Sequence, residues 1–309
     1  MIKILITGST GMVGRNIINY LTTKEFFLLT PKSSELNLLD KRKIDYYLDK
    51  NKPDLIIHSA GVVGGIQANI LNPVKFLYDN SQMGLNIIKS AFEHKILKFI
   101  NLASSCMYPK DLTDLLKEDY ILTGKLEPTN EGYALAKILT TKLCEYIFKE
   151  NNNYKYKTII PCNLYGKYDK FDSIKAHLIP AVINKIHKAK VNNMDIVEIW
   201  GTGEVKREFM YTEDLADFIL YAIKNFDRLP QNLNVGTGKD YTINKYYEIV
   251  SSVIGYKGGF KHDLTKPVGM AQKTVDISKL NKFGWKSKIS LEEGIEKTYQ
   301  YFLKEINNG

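Results

Sequence analysis

The chain has 309 residues, 44% hydrophobic and 25% charged, with a formal net charge of +9 at pH 7. That composition fills one large core or two unequal ones, and no apolar run nears the roughly 18 residues that a membrane span needs. The positive charge excludes no small anion but does not indicate nucleic-acid binding. It is almost all lysine, with arginine only at Arg15, Arg42, Arg207 and Arg228, and it forms no dense basic tract.

Met1-Ile2-Lys3-Ile4-Leu5-Ile6-Thr7 reads as a buried strand and feeds into Gly8-Ser9-Thr10-Gly11-Met12-Val13-Gly14, which opens an apolar-periodic helix. Glycines there let the backbone turn tightly and approach a pyrophosphate, while the N–H groups at the helix start attract its charge. Such turns also join strands to helices for steric reasons alone, but the strand–glycine–helix context predicts dinucleotide binding by Gly8, Thr10, Gly11, Met12, Val13 and Gly14. The second strand, 26–30, runs into Pro31-Lys32-Ser33-Ser34, where an NAD site usually presents an acidic residue to the ribose. Lys32 and Ser33 suit a 2′-phosphate instead, so NADP(H) is expected, with Glu35 close by as the competing feature. Beyond Leu39, Asp40 either caps the next helix or lies near the adenine.

Further strands are predicted at 54–58, 99–102 and 158–161, and long helices at 74–92 and 131–150. The alternation implies an α/β fold with a doubly wound parallel sheet of Rossmann type. After Tyr165 the rhythm loosens: a helix over 175–190, a strand over 196–200, a helix over 213–224, and short mixed elements thereafter. The expected organisation is a dinucleotide-binding domain over 1–165 and a smaller mixed α/β substrate domain over 166–309, some of whose segments return to the first. Cys106, Cys144 and Cys162 are an odd set without metal spacing, and the first strand begins with no basic-then-apolar leader. Both features lead us to expect a reduced, cytoplasmic protein without a metal.

Tyr133 and Lys137 stand four residues apart behind the helix-start signal Pro128-Thr129-Asn130-Glu131. Residues so spaced share a helix face. A lysine ammonium there favours the phenolate and lowers a pKa that is ordinarily about 10, which makes the tyrosine a proton donor to an alkoxide. Alone, the pair equally describes a half-buried tyrosine beside a solvated lysine.

Together with the glycine motif and Ser104 after the fourth strand, this pair resembles the extended short-chain dehydrogenase/reductase superfamily. More narrowly the chain resembles the GDP-L-fucose synthase family. The likeness runs through Gly64-Gly65-Ile66-Gln67-Ala68-Asn69, Ser104-Ser105-Cys106-Met107-Tyr108-Pro109-Lys110, Asn163-Leu164-Tyr165-Gly166, His177-Leu178-Ile179-Pro180-Ala181, Trp200-Gly201-Thr202-Gly203 and Arg207-Glu208-Phe209-Met210-Tyr211. The resemblance implies reduction of a GDP-linked 4-keto-6-deoxy sugar by NADPH, with prior epimerisation at C3 and C5. Ser104 then hydrogen-bonds the C4 oxygen, Tyr133 protonates it, and Lys137 holds the cofactor ribose. Cys106 and His177 match the acid–base pair for epimerisation; unaided by the motif, they read as a packed thiol and a helix-start residue. Arg207 and Lys185 fall where cations meet the diphosphate, with Trp200 beside them; Ser105 and Lys273 are further expected substrate contacts. Ala60, Gly61, Leu102, Pro161, Asn163 and Leu164 complete the expected cofactor contacts, Asn163 serving the nicotinamide, the sugar or simply a turn. A homodimer is implied as well, with helices near 80–92 and 131–148 packed as a four-helix bundle.

Departures from the family pattern concentrate near the sugar and cofactor. Thr10 replaces an arginine of some members, Gly61-Val62-Val63 replaces alanine-lysine-valine, and Pro267-Val268-Gly269-Met270-Ala271-Gln272-Lys273 lacks the usual aspartate and second proline. A C4 reductase of a GDP-6-deoxy-4-keto-heptose, without epimerisation, is therefore the alternative expectation. A 4,6-dehydratase would carry acidic residues where Ser105 and Cys106 stand. A UDP-sugar 4-epimerase would oxidise no cofactor overall, and a non-enzymatic NADP-binding regulator has little use for Ser104, Tyr133 and Lys137 together.

Overall fold

The computed structural model describes residues 1–22, 25–172, 176–266 and 270–307. The first half runs β1 (Ile2–Thr7), α1 (Met12–Leu21), β2 (Phe26–Leu29), α2 (Lys41–Asn51), β3 (Leu55–His58), α3 (Ile66–Leu71), α4 (Pro73–Glu93), β4 (Lys98–Leu102), α5 (Glu131–Glu150) and β5 (Lys155–Pro161). There follow β6 (Asn163–Tyr165), α6 (Leu178–Val191), β7 (Ile196–Trp200), β8 (Lys206–Arg207), β9 (Phe209–Tyr211), α7 (Thr212–Lys224) and β10 (Asn232–Val235). The chain closes with β11 (Tyr241–Thr242), α8 (Ile243–Ile254), β12 (Gly259–Asp263), β13 (Gln272–Lys273), α9 (Ser278–Phe283) and α10 (Leu291–Asn307).

The apolar strands are continuous because both of their faces are covered. Ile4, Ile6, Leu55, Ile57 and Ile100 pack on one side with Ile17, Leu21, Leu215 and Phe218 of α1 and α7. Leu5, Ile56 and Phe99 point the other way, to Ile44, Leu48, Ile87, Ile88 and Ile147 of α2, α4 and α5. The resulting six-stranded sheet has the order β2-β1-β3-β4-β5-β10, parallel throughout. This is the doubly wound Rossmann-type α/β fold. From β1 the chain steps outward to β2 and then returns to the other side as β3, which opens a crevice at the carboxyl ends of β1 and β3.

Elements beyond Tyr165 form a second apolar cluster around α6, α8 and α10, including Ile183, Ile186, Tyr246, Val250, Ile295 and Phe302. Here the reading of short mixed elements needs correction: α8 and α10 span 12 and 17 residues. Their apolar stripes are diluted by tyrosines, Thr298 and Gly294, which hides the helical period. The helix expected over 175–190 begins at Leu178, residue 175 lying outside the described residues. No helix among the described residues is long and apolar enough to cross a membrane.

His58 ends β3 with 3% exposure, its Nδ1 lying 2.9 Å from the Thr7 hydroxyl of β1. Burial, aided by the Lys137 charge, pushes its pKa down to about 3. The unfolded chain takes up this proton near pH 6.5, whereas the native chain refuses it until about pH 3. Stability is therefore complete above pH 6.5 and falls as the pH drops through that window, by about 2 kcal/mol at pH 5. His58→Asn, which keeps a polar atom near Thr7, is expected to flatten the fall in Tm between pH 7 and pH 5; a parallel profile would refute the assignment.

Candidate active site

The glycine loop sits where β1 delivers it. Gly8 has φ +72°, and a Cβ there would lie 2.7 Å from the Ala60 amide nitrogen; one on Gly14 would lie 2.1 Å from the Gly8 carbonyl oxygen. No side chain larger than hydrogen fits either place. No side chain caps the start of α1 at Gly11, so its amides open on the crevice, a cradle suited to a pyrophosphate. The crevice has a volume of about 710 Å³.

Its lining brings together most of the expected cofactor contacts: Gly8, Thr10, Gly11, Met12, Val13, Gly14, Ser33, Leu39, Ala60, Gly61, Leu102, Pro161, Asn163 and Leu164. Lys32 and Asp40 are not among the lining residues. Asp40 caps α2, accepting from the Arg42 amide at 3.1 Å. Glu35 turns back to accept the Lys32 amide at 2.7 Å, and no ion pair among the described residues engages the Lys32 ammonium. Sequence reasoning missed Asn80 of α4. Its side chain accepts from the Val62 amide at 2.8 Å and donates to the Val62 carbonyl at 3.1 Å, which fixes the loop at Gly61. An asparagine inside a helix carries no local sign of such a task.

Ser104, Tyr133, Lys137 and His177 line the same crevice. Ser104 follows β4, and its Oγ accepts from the Cys106 amide at 3.4 Å. The buried Lys137 ammonium donates to the Leu102 carbonyl at 2.8 Å and lies 5.7 Å from the centroid of the Tyr133 ring. Burial pushes the Lys137 pKa down to about 8. The expected depression of the Tyr133 phenol is absent. Burial, with a lesser push from Cys106, raises its pKa instead, because a lysine engaged by a backbone carbonyl does not outweigh desolvation.

Cys106 is buried behind Ser104, outside the lining itself, as is Ser105. Burial pushes the Cys106 thiol up, opposed first by Lys273. Burial lowers His177, followed by the charges of Lys170 and Lys273. Near pH 7 the thiol is thus protonated and the imidazole neutral. Lys273 pairs in register with Arg207 across β13 and β8, setting two cations side by side. An Arg207 amino group also donates to the Met270 carbonyl at 2.6 Å. None of Lys185, Trp200, Arg207 and Lys273 is among the residues lining the crevice; Lys185 and Trp200 gather at Glu198, the Lys185 ammonium on its carbonyl and the Trp200 indole on its carboxylate at 3.0 Å. Of the altered late loop, Pro267, Val268 and Gly269 lie outside the described residues. Among the described residues, no group of three or more His, Cys, Asp or Glu is placed to hold a metal.

Residues 4–236 match the NAD dependent epimerase/dehydratase family. The chain is 58% identical over 306 residues to the GDP-L-colitose synthase of Yersinia pseudotuberculosis, covering 99% of each. It is 48% identical to the GDP-L-fucose synthase of Azorhizobium caulinodans, over 97% of this chain and 96% of that one. Among solved structures it is similar to an NADP-bound GDP-mannoheptose C4 reductase from Campylobacter jejuni, with a TM-score of 0.88, 29% identity and 98% of both chains covered. The chain belongs to the NAD dependent epimerase/dehydratase family and, within it, to the GDP-L-fucose synthase family.

Proposed function

We propose that this protein reduces the C4 ketone of a GDP-linked 4-keto-6-deoxy sugar with NADPH, after moving protons at the carbons flanking that ketone. The observation that carries the reading is the convergence of Ser104, Tyr133, Lys137 and His177 on one crevice whose other end is the glycine cradle. NADPH, when bound, supplies the hydride. The Ser104 hydroxyl holds the C4 oxygen, and Tyr133 gives that oxygen its proton. Lys137 sets a positive charge beside the phenolate that remains and reaches the ribose hydroxyls. His177, neutral, takes a proton from carbon; the Cys106 thiol returns one to the opposite face, and solvent exchange resets both groups. Arg207 and Lys273 face the diphosphate.

The identity of 58% with a GDP-L-colitose synthase favours a second choice of sugar, since colitose lacks the 3-hydroxyl of fucose. Feeding the purified protein NADPH and either the 3-hydroxy or the 3-deoxy 4-keto sugar, with NMR of each product, decides between them. The likeness to a GDP-mannoheptose C4 reductase, at a lower identity of 29%, supports the alternative of C4 reduction on a heptose. No turnover on any of these sugars would overturn the proposal.

Ser33 lines the crevice at the tip of β2 and Lys32 adjoins it. Lys32→Asp is expected to shift the NADPH/NADH preference towards NADH by placing negative charge near the 2′-phosphate. An unaltered ratio would mean that the phosphate is held elsewhere.

The assembly we infer is a homodimer through α4 and α5. Val74, Leu77 and Tyr78 on the first and Leu135, Leu139 and Tyr146 on the second are large apolar side chains left exposed, a pattern that suits a partner helix pair. Leu139→Glu is expected to halve the mass seen in sedimentation, and a wild-type monomer at micromolar concentration would remove the inference. All three cysteines are free and buried, which suits a reducing, cytoplasmic setting.

A further inference from the structure

Besides opening on the crevice, α1 grips the segment that follows β6. The Arg15 guanidinium carbon lies 3.6 Å from the centroid of the Tyr168 ring. Asn19 donates to the Tyr168 hydroxyl at 2.8 Å, and the buried Asn16 donates to the Lys167 carbonyl at 2.9 Å. Tyr168 holds a left-handed backbone with φ +71°, a conformation that a bulky residue keeps only where its surroundings over-determine it. The next residue adds a second unfavourable feature. One Asp169 oxygen accepts the Lys170 amide at 2.8 Å, while the other is buried with no hydrogen-bond partner among the described residues.

The far end of the segment is tied to the helix that begins after His177. The Phe171 carbonyl accepts from Asn184 of α6 at 2.6 Å, and the Phe171 ring packs 4.8 Å from that of Phe302. Tyr168 itself meets Tyr301 edge-on at 5.3 Å. A line of contacts thus leads from the nucleotide-facing helix through Tyr168, Tyr301 and Phe171 to Asn184 of α6, the helix that His177 starts. Apart from His177 at its end, none of the residues named here touches the reacting atoms in the proposed chemistry.

We propose that Tyr168, seated on Arg15 and Asn19 of α1, is a positioning residue that sets the stance of His177 and couples cofactor capture to proton exchange at the sugar. The proton-exchange half rests on the function proposed above; the coupling of α1 to the segment does not. An aromatic ring held by cation–π contact and a hydrogen bond is a stiff connector. A displacement of about 1 Å in a reacting group costs on the order of 10²-fold in rate.

The test uses the full chain and three variants. Tyr168→Gly relaxes the backbone and removes the ring, Tyr168→Phe keeps the ring and loses the Asn19 bond, and Arg15→Met alters one exposed side chain. Backbone amide exchange over 164–172 is measured with and without NADP+. Deuterium incorporated at C3 and C5 of the 4-keto sugar is measured in D₂O per NADPH consumed. In the wild type, NADP+ should slow exchange over 164–172. Tyr168→Gly and Arg15→Met should lose that protection and incorporate about tenfold less deuterium per hydride, and Tyr168→Phe should stay within about twofold. Protection in Tyr168→Gly equal to the wild type, or an equal fall in deuteration and hydride transfer, would overturn the proposal. Should Tyr168→Gly fail to fold, Arg15→Met carries the same test. A wild type that transfers hydride without deuteration would defeat the epimerisation reading alone, leaving the protection measurement to decide the coupling.

Discussion

Tyr133→Phe is expected to lower turnover about 10²–10⁴-fold, the usual worth of a general acid, while the protein folds and binds NADPH as before. The phenol oxygen makes no hydrogen bond within the chain among the described residues, so its removal strands no buried partner. The ring's edge-on contact with Phe76, 6.4 Å between centroids, survives the change. Burial raises the phenol's pKa, which leaves it protonated at pH 7 with its proton available to a C4 alkoxide. Lys137, with a pKa of about 8, is still mostly charged there. Loss of NADPH absorbance reports the rate, and Tm with cofactor titration reports the rest. A variant that turns over at the wild-type rate would remove Tyr133 from the chemistry.

The second large effect concerns Cys106. A carbanion formed beside a ketone takes up solvent hydrogen when it is quenched, and reduction then locks the label in place. In D₂O the wild-type product should carry deuterium at C3 and C5 when the substrate is the 3-hydroxy sugar. Cys106→Ser is expected to slow inversion at those carbons about 10²–10⁴-fold, because a hydroxyl is a far weaker acid than a thiol. Reduction of an already epimerised sugar, which depends on Tyr133, should persist. Cys106 is 5% exposed and serine is smaller, so the fold is little disturbed. Wild-type reduction without deuterium would leave a C4 reductase in which Cys106 and His177 take no part.

Much of this site was legible in the residues because its signals are local. The glycine loop, the Tyr133–Lys137 spacing and the alternation of strands with helices each occupy a short window, and each found its place on β1, α5 and the parallel sheet. Contacts between distant segments were not legible. Asp40 sits beside the strand tip in sequence yet spends its carboxylate on Arg42, and Lys185 and Trp200 are drawn to Glu198 by strand β7. The sign of the Tyr133 shift was missed because desolvation depends on what covers the ring, which no spacing reveals. The seat of Tyr168 on α1 joins residues about 150 positions apart, and nothing near either one announces it.

Strand β10 has a consequence for how the chain comes off the ribosome. The sheet closes only when Asn232–Val235 pairs with β5, more than 70 residues after β5 is made. Until then β5 is an open edge whose unpaired backbone invites another chain. Lys155 and Lys157 lie on that strand, their ammonium groups 5.5 and 5.0 Å from the Phe148 ring centroid. Charged residues on an edge strand discourage strand addition, and β5 carries two of them, Lys155 and Lys157, on the strand that stays an edge until β10 is made.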